Sequence, residues 1–109
     1  MKKMTQEQYS HLARWFQVLA DPTRLAIMYA LQKESKRVND LVELLGAKQA
    51  NVSKQLGILH SAALVSRQRD GTTVHYSIAD PIVFEICDLV SSKLQNDLRD
   101  QMAMFGEEQ

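Results

Sequence analysis

Apolar positions along the chain follow two rhythms. Near the N-terminus Leu12, Trp15, Phe16 and Leu19 recur at i, i+3, i+4 and i+7, the stripe of an amphipathic helix. Asp21-Pro22 comes next. Asp accepts hydrogen bonds from the free N–H groups at a helix start, and Pro is tolerated at the first helical position. A second helix is therefore predicted from 22 to about 33, with Leu25, Ile27, Met28 and Leu31 apolar and the polar run from Lys33 to Arg37 closing it. A short third helix is predicted over about 39–45, with Leu41, Leu44 and Leu45 inward and Gly46 placed to end it in the left-handed conformation. A fourth is predicted over about 49–62, with Val52, Leu56 and Leu59 inward. The turn of about three residues between these two helices is the mark of a helix-turn-helix.

The period then changes to two. Residues 65–69 and 73–78 alternate as strands, and Asp70-Gly71 between them signals a hairpin. A second Asp-Pro, Asp80-Pro81, opens a last helix that runs to about 105 without an interior Gly or Pro. Its apolar stripe includes Ile86, Leu89, Val90 and Leu94. The order predicts a mainly α fold with a small β-hairpin, α-α-α-α-β-β-α, which is a winged helix-turn-helix. The wing spans about 65–78 and the last helix about 82–105. The 109 residues suit one domain over 1–109.

The order of elements brings its own chemistry. A helix fits the major groove of DNA, and a hairpin beside it reaches the backbone or minor groove. The predicted recognition face carries Gln49, Asn51, Ser53, Lys54 and Gln55, with Lys48 before it and His60 near its end. Gln and Asn can bond adenine bidentately, Lys can contact guanine or phosphate, and Ser serves either. Arg67 and Arg69, with Thr72 and Thr73 beyond the turn, suit phosphate contacts or insertion into a narrow minor groove.

The combination resembles the ArsR/SmtB family of transcriptional regulators. The likeness rests on the run Leu19-Ala20-Asp21-Pro22-Thr23-Arg24-Leu25, on residues 49–56, on Ala63-Leu64-Val65, on Arg69-Asp70-Gly71 and on Val74-His75-Tyr76. The resemblance implies a homodimeric DNA-binding protein, usually a repressor, with the first and last helices at the dimer interface. Leu12, Trp15, Phe16, Ile86, Leu89, Val90 and Leu94 are the candidate interface residues, and a palindromic double-stranded DNA operator is the expected partner. Three positions depart from good helix design. Lys48 stands where the family usually places a Ser cap, a loss of about 1 kcal/mol. Gly57 lies inside the fourth helix, at roughly 0.8–1 kcal/mol against Ala. Ala63 replaces the usual Gly at the helix end, at roughly 1–2 kcal/mol if the left-handed conformation is kept. The recognition helix is thus expected to be locally weak.

Many relatives in this family respond to metals or to thiol oxidation, and the residues for either are sparse here. The third helix has no Cys or His, the last helix has no His, and His11, His60 and His75 fall in separate elements. No metal and no cofactor are expected. Cys87 reads first as a small buried hydrophobe, and second as a redox thiol that is modified or bonds across a dimer. Trp15 and Phe16 read as core or interface, or as the wall of a ligand pocket. An unidentified small molecule or oxidant is the candidate effector.

Composition sharpens the picture last. Net charge is zero, from 13 basic and 13 acidic residues, which argues against nucleic acid when taken whole. By segment, residues 1–32 carry +2, residues 33–76 carry +3 and residues 77–109 carry −5. The basic part coincides with the predicted reader, and the acidic last helix should face away from DNA. The single cysteine, the polar first residues and the lack of a run near the roughly 18 apolar residues of a membrane span lead to the expectation of a cytoplasmic protein, with no membrane. No Gly-rich phosphate loop, nucleophile motif or metal pair suggests an enzyme. The reading is a sequence-specific DNA-binding regulator, most simply a homodimeric repressor. Two alternatives stay open: a winged-helix protein-interaction module, and a regulator switched by a thiol or a small-molecule ligand.

Overall fold

Local signals start most of the helices. The computed structural model describes residues 1–107, with side chains to residue 104. The first helix, α1 (Gln6–Leu19), opens on a reciprocal box: Thr5 Oγ1 accepts from the Gln8 N–H at 3.2 Å, and the Thr5 N–H donates to Gln8 Oε1 at 2.9 Å. In α2 (Pro22–Leu31) the Asp21 carboxylate accepts from the Arg24 N–H at 3.0 Å. In α3 (Val38–Leu45) the Asp40 carboxylate accepts from the Arg37 N–H at 2.9 Å and from the Arg37 guanidinium at 3.2 Å. That pairing holds the Asp40 carboxyl below its ordinary value and the guanidinium above its own. Gly46 ends α3 in the left-handed region, with φ of +63°. The remaining elements are α4 (Gln49–Ser61), β1 (Val65–Asp70), β2 (Thr73–Ile78) and α5 (Ile82–Glu107).

Two boundaries differ from the sequence expectation for a physical reason. The second helix stops at Leu31 rather than near residue 33, because the chain must turn so that Lys36 pairs with Tyr76. The Lys36 N–H donates to the Tyr76 carbonyl at 2.9 Å, and the Tyr76 N–H donates back at 2.8 Å. This one-residue bridge ties the wing to the start of the helix-turn-helix. In the hairpin, Asp70 pairs with Thr73, so Gly71 and Thr72 are the turn residues rather than Asp70 and Gly71. Gly71 alone in that turn has positive φ, +65°, the sign pattern of a type II′ turn.

One apolar cluster joins the parts: Ile27, Met28 and Leu31 of α2, Leu41 of α3, Val52, Leu56 and Leu59 of α4, then Leu64, Val65 and Val83. Leu44, expected inward, is instead 60% exposed, because Leu41 and Leu45 take the inner side of the short α3. Leu25 is also turned outward, beside the root of α5. The last helix docks only by its beginning: Val83 is buried, Phe84 and Cys87 pack on the core, and residues 88–104 are all exposed. Phe105, the end of the predicted stripe, lies outside the described side chains.

The weak points of α4 are present in the structure. Lys48 makes no side-chain cap bond, Gly57 sits in the middle of the helix, and Ala63 has φ of +59°. A Cβ added at Gly57 meets nothing within 4 Å. Gly57→Ala is expected to raise stability by about 0.5–1 kcal/mol, and Ala63→Gly by about 1 kcal/mol. Urea unfolding checks both, and amides 57–62 should exchange more slowly in the Gly57→Ala protein.

Candidate nucleic-acid interface

The outer surface of α4 is polar and open. Lys48, Gln49, Asn51, Ser53, Lys54 and His60 are all exposed. They do not form one line. At 3.6 residues per turn, Gln49 and Asn51 lie about 160° apart, on opposite flanks of the helix. Ser53 and Lys54 lie between them, and His60 continues the Gln49 flank toward the C-terminus. A helix lying in a groove can thus use one flank against one wall and the second against the other.

Gln55 departs from the expectation. It was predicted on the outer face and is instead 8% exposed. The reason is helical spacing: Gln55 stands three residues after the buried Val52 and four before the buried Leu59, on the core stripe. A buried amide needs partners, and Gln55 has two. Its Oε1 accepts from the Arg24 guanidinium at 2.6 Å, and its Nε2 donates to Asn51 Oδ1 at 3.0 Å. Gln55 is therefore removed from the groups that can touch DNA directly.

Arg24 was not singled out by sequence as a site residue. Its guanidinium makes three hydrogen bonds, to two other elements. Nε donates to the Val18 carbonyl at 2.6 Å and an Nη to the Gln17 carbonyl at 3.2 Å, both at the end of α1, while the other Nη holds Gln55 of α4. The Val18 carbonyl has no helical N–H to meet, because residue 22 is a proline, and the end of α1 carries the negative end of its dipole, which suits a cation. The signal in the sequence was the placement of Arg two residues after a helix-opening Pro, with a Gln on the core stripe of a later helix. Neither has an apolar partner there, and each can satisfy the other.

The wing stands beside α4. Arg67 pairs across the ladder with Tyr76, and Arg69 with Val74. Opposed residues share a face, so both arginines lie on the face that carries buried Val65 at the base of the hairpin. Toward the tip that face leaves the body, and Arg67 and Arg69 are exposed. Thr72 is exposed in the turn, and Thr73 is half-buried opposite Asp70.

Comparison with known proteins agrees with this arrangement. The profile of the bacterial regulatory protein, arsR family, matches residues 21–67. A transcriptional repressor SmtB homolog of Synechocystis sp. is 39% identical over 92 residues, covering 84% of this chain and 70% of the relative. This chain belongs to the ArsR family. Among solved structures, Mycobacterium tuberculosis Rv0081 superposes with a TM-score of 0.79 at 32% identity, covering 90% of this chain and 99% of that one. The homodimeric winged helix-turn-helix DNA-binding domain of Mb0332 from Mycobacterium bovis gives a TM-score of 0.69 at 28% identity, covering 87% and 91%. The ArsR-family chain is a regulatory protein with a winged helix-turn-helix fold, not an enzyme.

The other candidate groups of this ArsR-family protein are dispersed. Among the described residues no three His, Cys, Asp or Glu side chains converge, and no helix is long and apolar enough to cross a membrane. Cys87 is half-buried and packs on the core beside Phe84. Trp15 packs on the core and meets Phe16 edge to face at 5.5 Å, while Phe16 is 48% exposed. Leu12 and Ile86 are half-buried. Leu89, Val90 and Leu94 are exposed along α5. Between them runs an open apolar groove of about 570 Å³, bordered by Phe16, Leu25, Tyr29, Ile86, Val90 and Leu94.

Removing the guanidinium tests the joint that holds this site. Arg24→Met is expected to lower stability by about 2–3 kcal/mol, because it strands the buried Gln55 amide oxygen and the Val18 carbonyl. Urea denaturation of the full chain measures it.

Proposed function

We propose that two copies of this chain, each a single domain over 1–109, bind a palindromic double-stranded DNA operator and repress transcription by occupying it. The observation that carries the reading is the exposed polar face of α4, from Lys48 to Lys54, set beside the exposed Arg67 and Arg69 of the wing. Gln49, Ser53 and Lys54 are the base-reading candidates, with Asn51 on the second flank. Lys48, His60, Arg67, Arg69, Thr72 and Thr73 suit the phosphate backbone. The −5 charge of residues 77–109 keeps α5 away from the duplex. The reading implies a protein of the cytoplasm, where the DNA is.

The dimer follows from the apolar groove and from α5. Leu89, Val90 and Leu94 are 73%, 49% and 61% exposed, and such a stripe is stable when a second copy covers it. Covering it through α1 and α5 sets two α4 helices about 34 Å apart, one turn of DNA. The effector, small molecule or oxidant, has no assigned site here, and Cys87 is the thiol that an oxidant would meet.

Selection of bound DNA from a random pool tests the reading, and a palindrome is the expected product. Arg69→Ala is expected to weaken binding to all sequences alike and to lower the salt slope by about 1. Gln49→Ala is expected to relax base preference by about 1–3 kcal/mol at one position of each half-site. Affinity without salt dependence would instead indicate a protein-binding module. Leu94→Arg is expected to give a monomer in sedimentation equilibrium and to weaken operator binding at least tenfold.

A further inference from the structure

The link from Arg24 through Gln55 to Asn51 has a direction. A guanidinium has donors and no acceptor. Its contact at 2.6 Å must therefore be with the Gln55 carbonyl oxygen, and this turns the Gln55 NH₂ toward α4's own first turn. There the NH₂ donates to Asn51 Oδ1 at 3.0 Å. The Asn51 oxygen is held toward Gln55 by this bond, and Nδ2 is the atom of that side chain with no bond among the described residues. Gln55 is 8% exposed and cannot turn over without stranding a charged donor in a partly buried place.

We infer that Arg24 and Gln55 are positioning residues that fix the amide of Asn51, with Oδ1 turned toward Gln55 and Nδ2 turned outward, so that it presents a hydrogen-bond donor to the base edge it meets. The inference rests on the DNA-binding reading proposed above and names what one of its residues recognises. An Asn free to turn pairs bidentately with adenine, giving a donor to N7 and an acceptor to N6. Here Oδ1 is turned toward Gln55, so the two amide atoms cannot both lie along the edge of one adenine. Asn51 then selects an acceptor in the major groove: guanine O6 or N7, adenine N7 or thymine O4. It discriminates against cytosine and does not prefer adenine over guanine. The same link makes base choice on this flank depend on the end of α1, where the Gln17 and Val18 carbonyls hold the other side of the guanidinium.

The test uses the full-length chain and random-pool DNA selection followed by titration of single-base variants. Asn51→Ala first locates the operator position that Asn51 governs. At that position the wild-type protein is expected to bind guanine and adenine within about threefold of each other. A bidentate pair would favour adenine by about tenfold or more. Gln55→Glu reverses the polarity, since a carboxylate bonds Arg24 and accepts from Asn51 Nδ2, turning Oδ1 outward. It is expected to shift the preference at that position to the donor-bearing bases, cytosine or adenine, by about tenfold. Asn51→Asp, at an exposed position, should shift preference the same way and serves if Gln55→Glu does not fold by circular dichroism. In the DNA-free protein, the Gln55 side-chain amide protons should exchange slowly by NMR and accelerate in Arg24→Lys. A tenfold adenine preference in the wild type, no position governed by Asn51, or a folded Gln55→Glu with unchanged preference overturns the inference while leaving DNA binding intact. A wild-type chain that selects no sequence overturns the DNA reading itself, and the inference with it.

Discussion

The Arg24 guanidinium is the joint on which the arrangement of helices depends. It lies early in α2, next to the Asp21 cap, and reaches back to the end of α1 and across to α4. Both helices have a group that needs it. The Val18 carbonyl at the end of α1 faces a proline at residue 22 and has no helical partner, and Gln55 has a buried amide oxygen. A planar fork of donors serves all of them from one residue, which a Lys ammonium on a flexible stem would do less well. Apolar packing of α2 against α4 brings these helices together. The guanidinium defines their register, because hydrogen bonds at 2.6 Å tolerate little sliding.

That joint matters more because α4 has little support of its own. Its first residue follows an uncapped Lys48, a glycine interrupts its middle, and a non-glycine residue in the left-handed region follows its end. A helix of 13 residues with such a sequence is marginal in isolation. Its inner stripe of Val52, Leu56 and Leu59 and the Gln55 amide hold it in place. The consequence for function is a reading element whose position comes from its neighbours, and above all from α1 and α2. The wing is anchored in the same manner. The Lys36–Tyr76 bridge fastens β2 to the segment that leads into α3.

At the other end the single chain is incomplete. Only the first turns of α5 pack on the body, and the apolar side chains from Leu89 to Met104 face solvent. The α1 end that Arg24 binds lies beside the groove into which a second copy would pack, since Phe16 and Leu19 border it. A dimer contact that shifted α1 would therefore act on Arg24 and, through Gln55, on α4. The path is short and made of hydrogen bonds with fixed polarity.

The sequence alone determined the elements and their order, because each is specified locally. Helical stripes, Asp-Pro openings, Gly46 and the change of period after residue 62 depend only on neighbours along the chain, and the ArsR-family likeness rests on the same runs. Charge counted by segment likewise separated the reader from the acidic α5. What tertiary structure decided lies at contacts between residues far apart in sequence. Gln55 reads as one more polar residue on a recognition helix until α2 supplies Arg24, which stands 31 residues away. Lys36 reads as part of a polar linker until β2 comes beside it, and Asp70-Gly71 reads as a turn until the ladder pairs Asp70 with Thr73. In each case a polar group had more than one way to be satisfied. Water offers one at any exposed site, and only the assembled fold removed that choice by burying the group or lining up its partner.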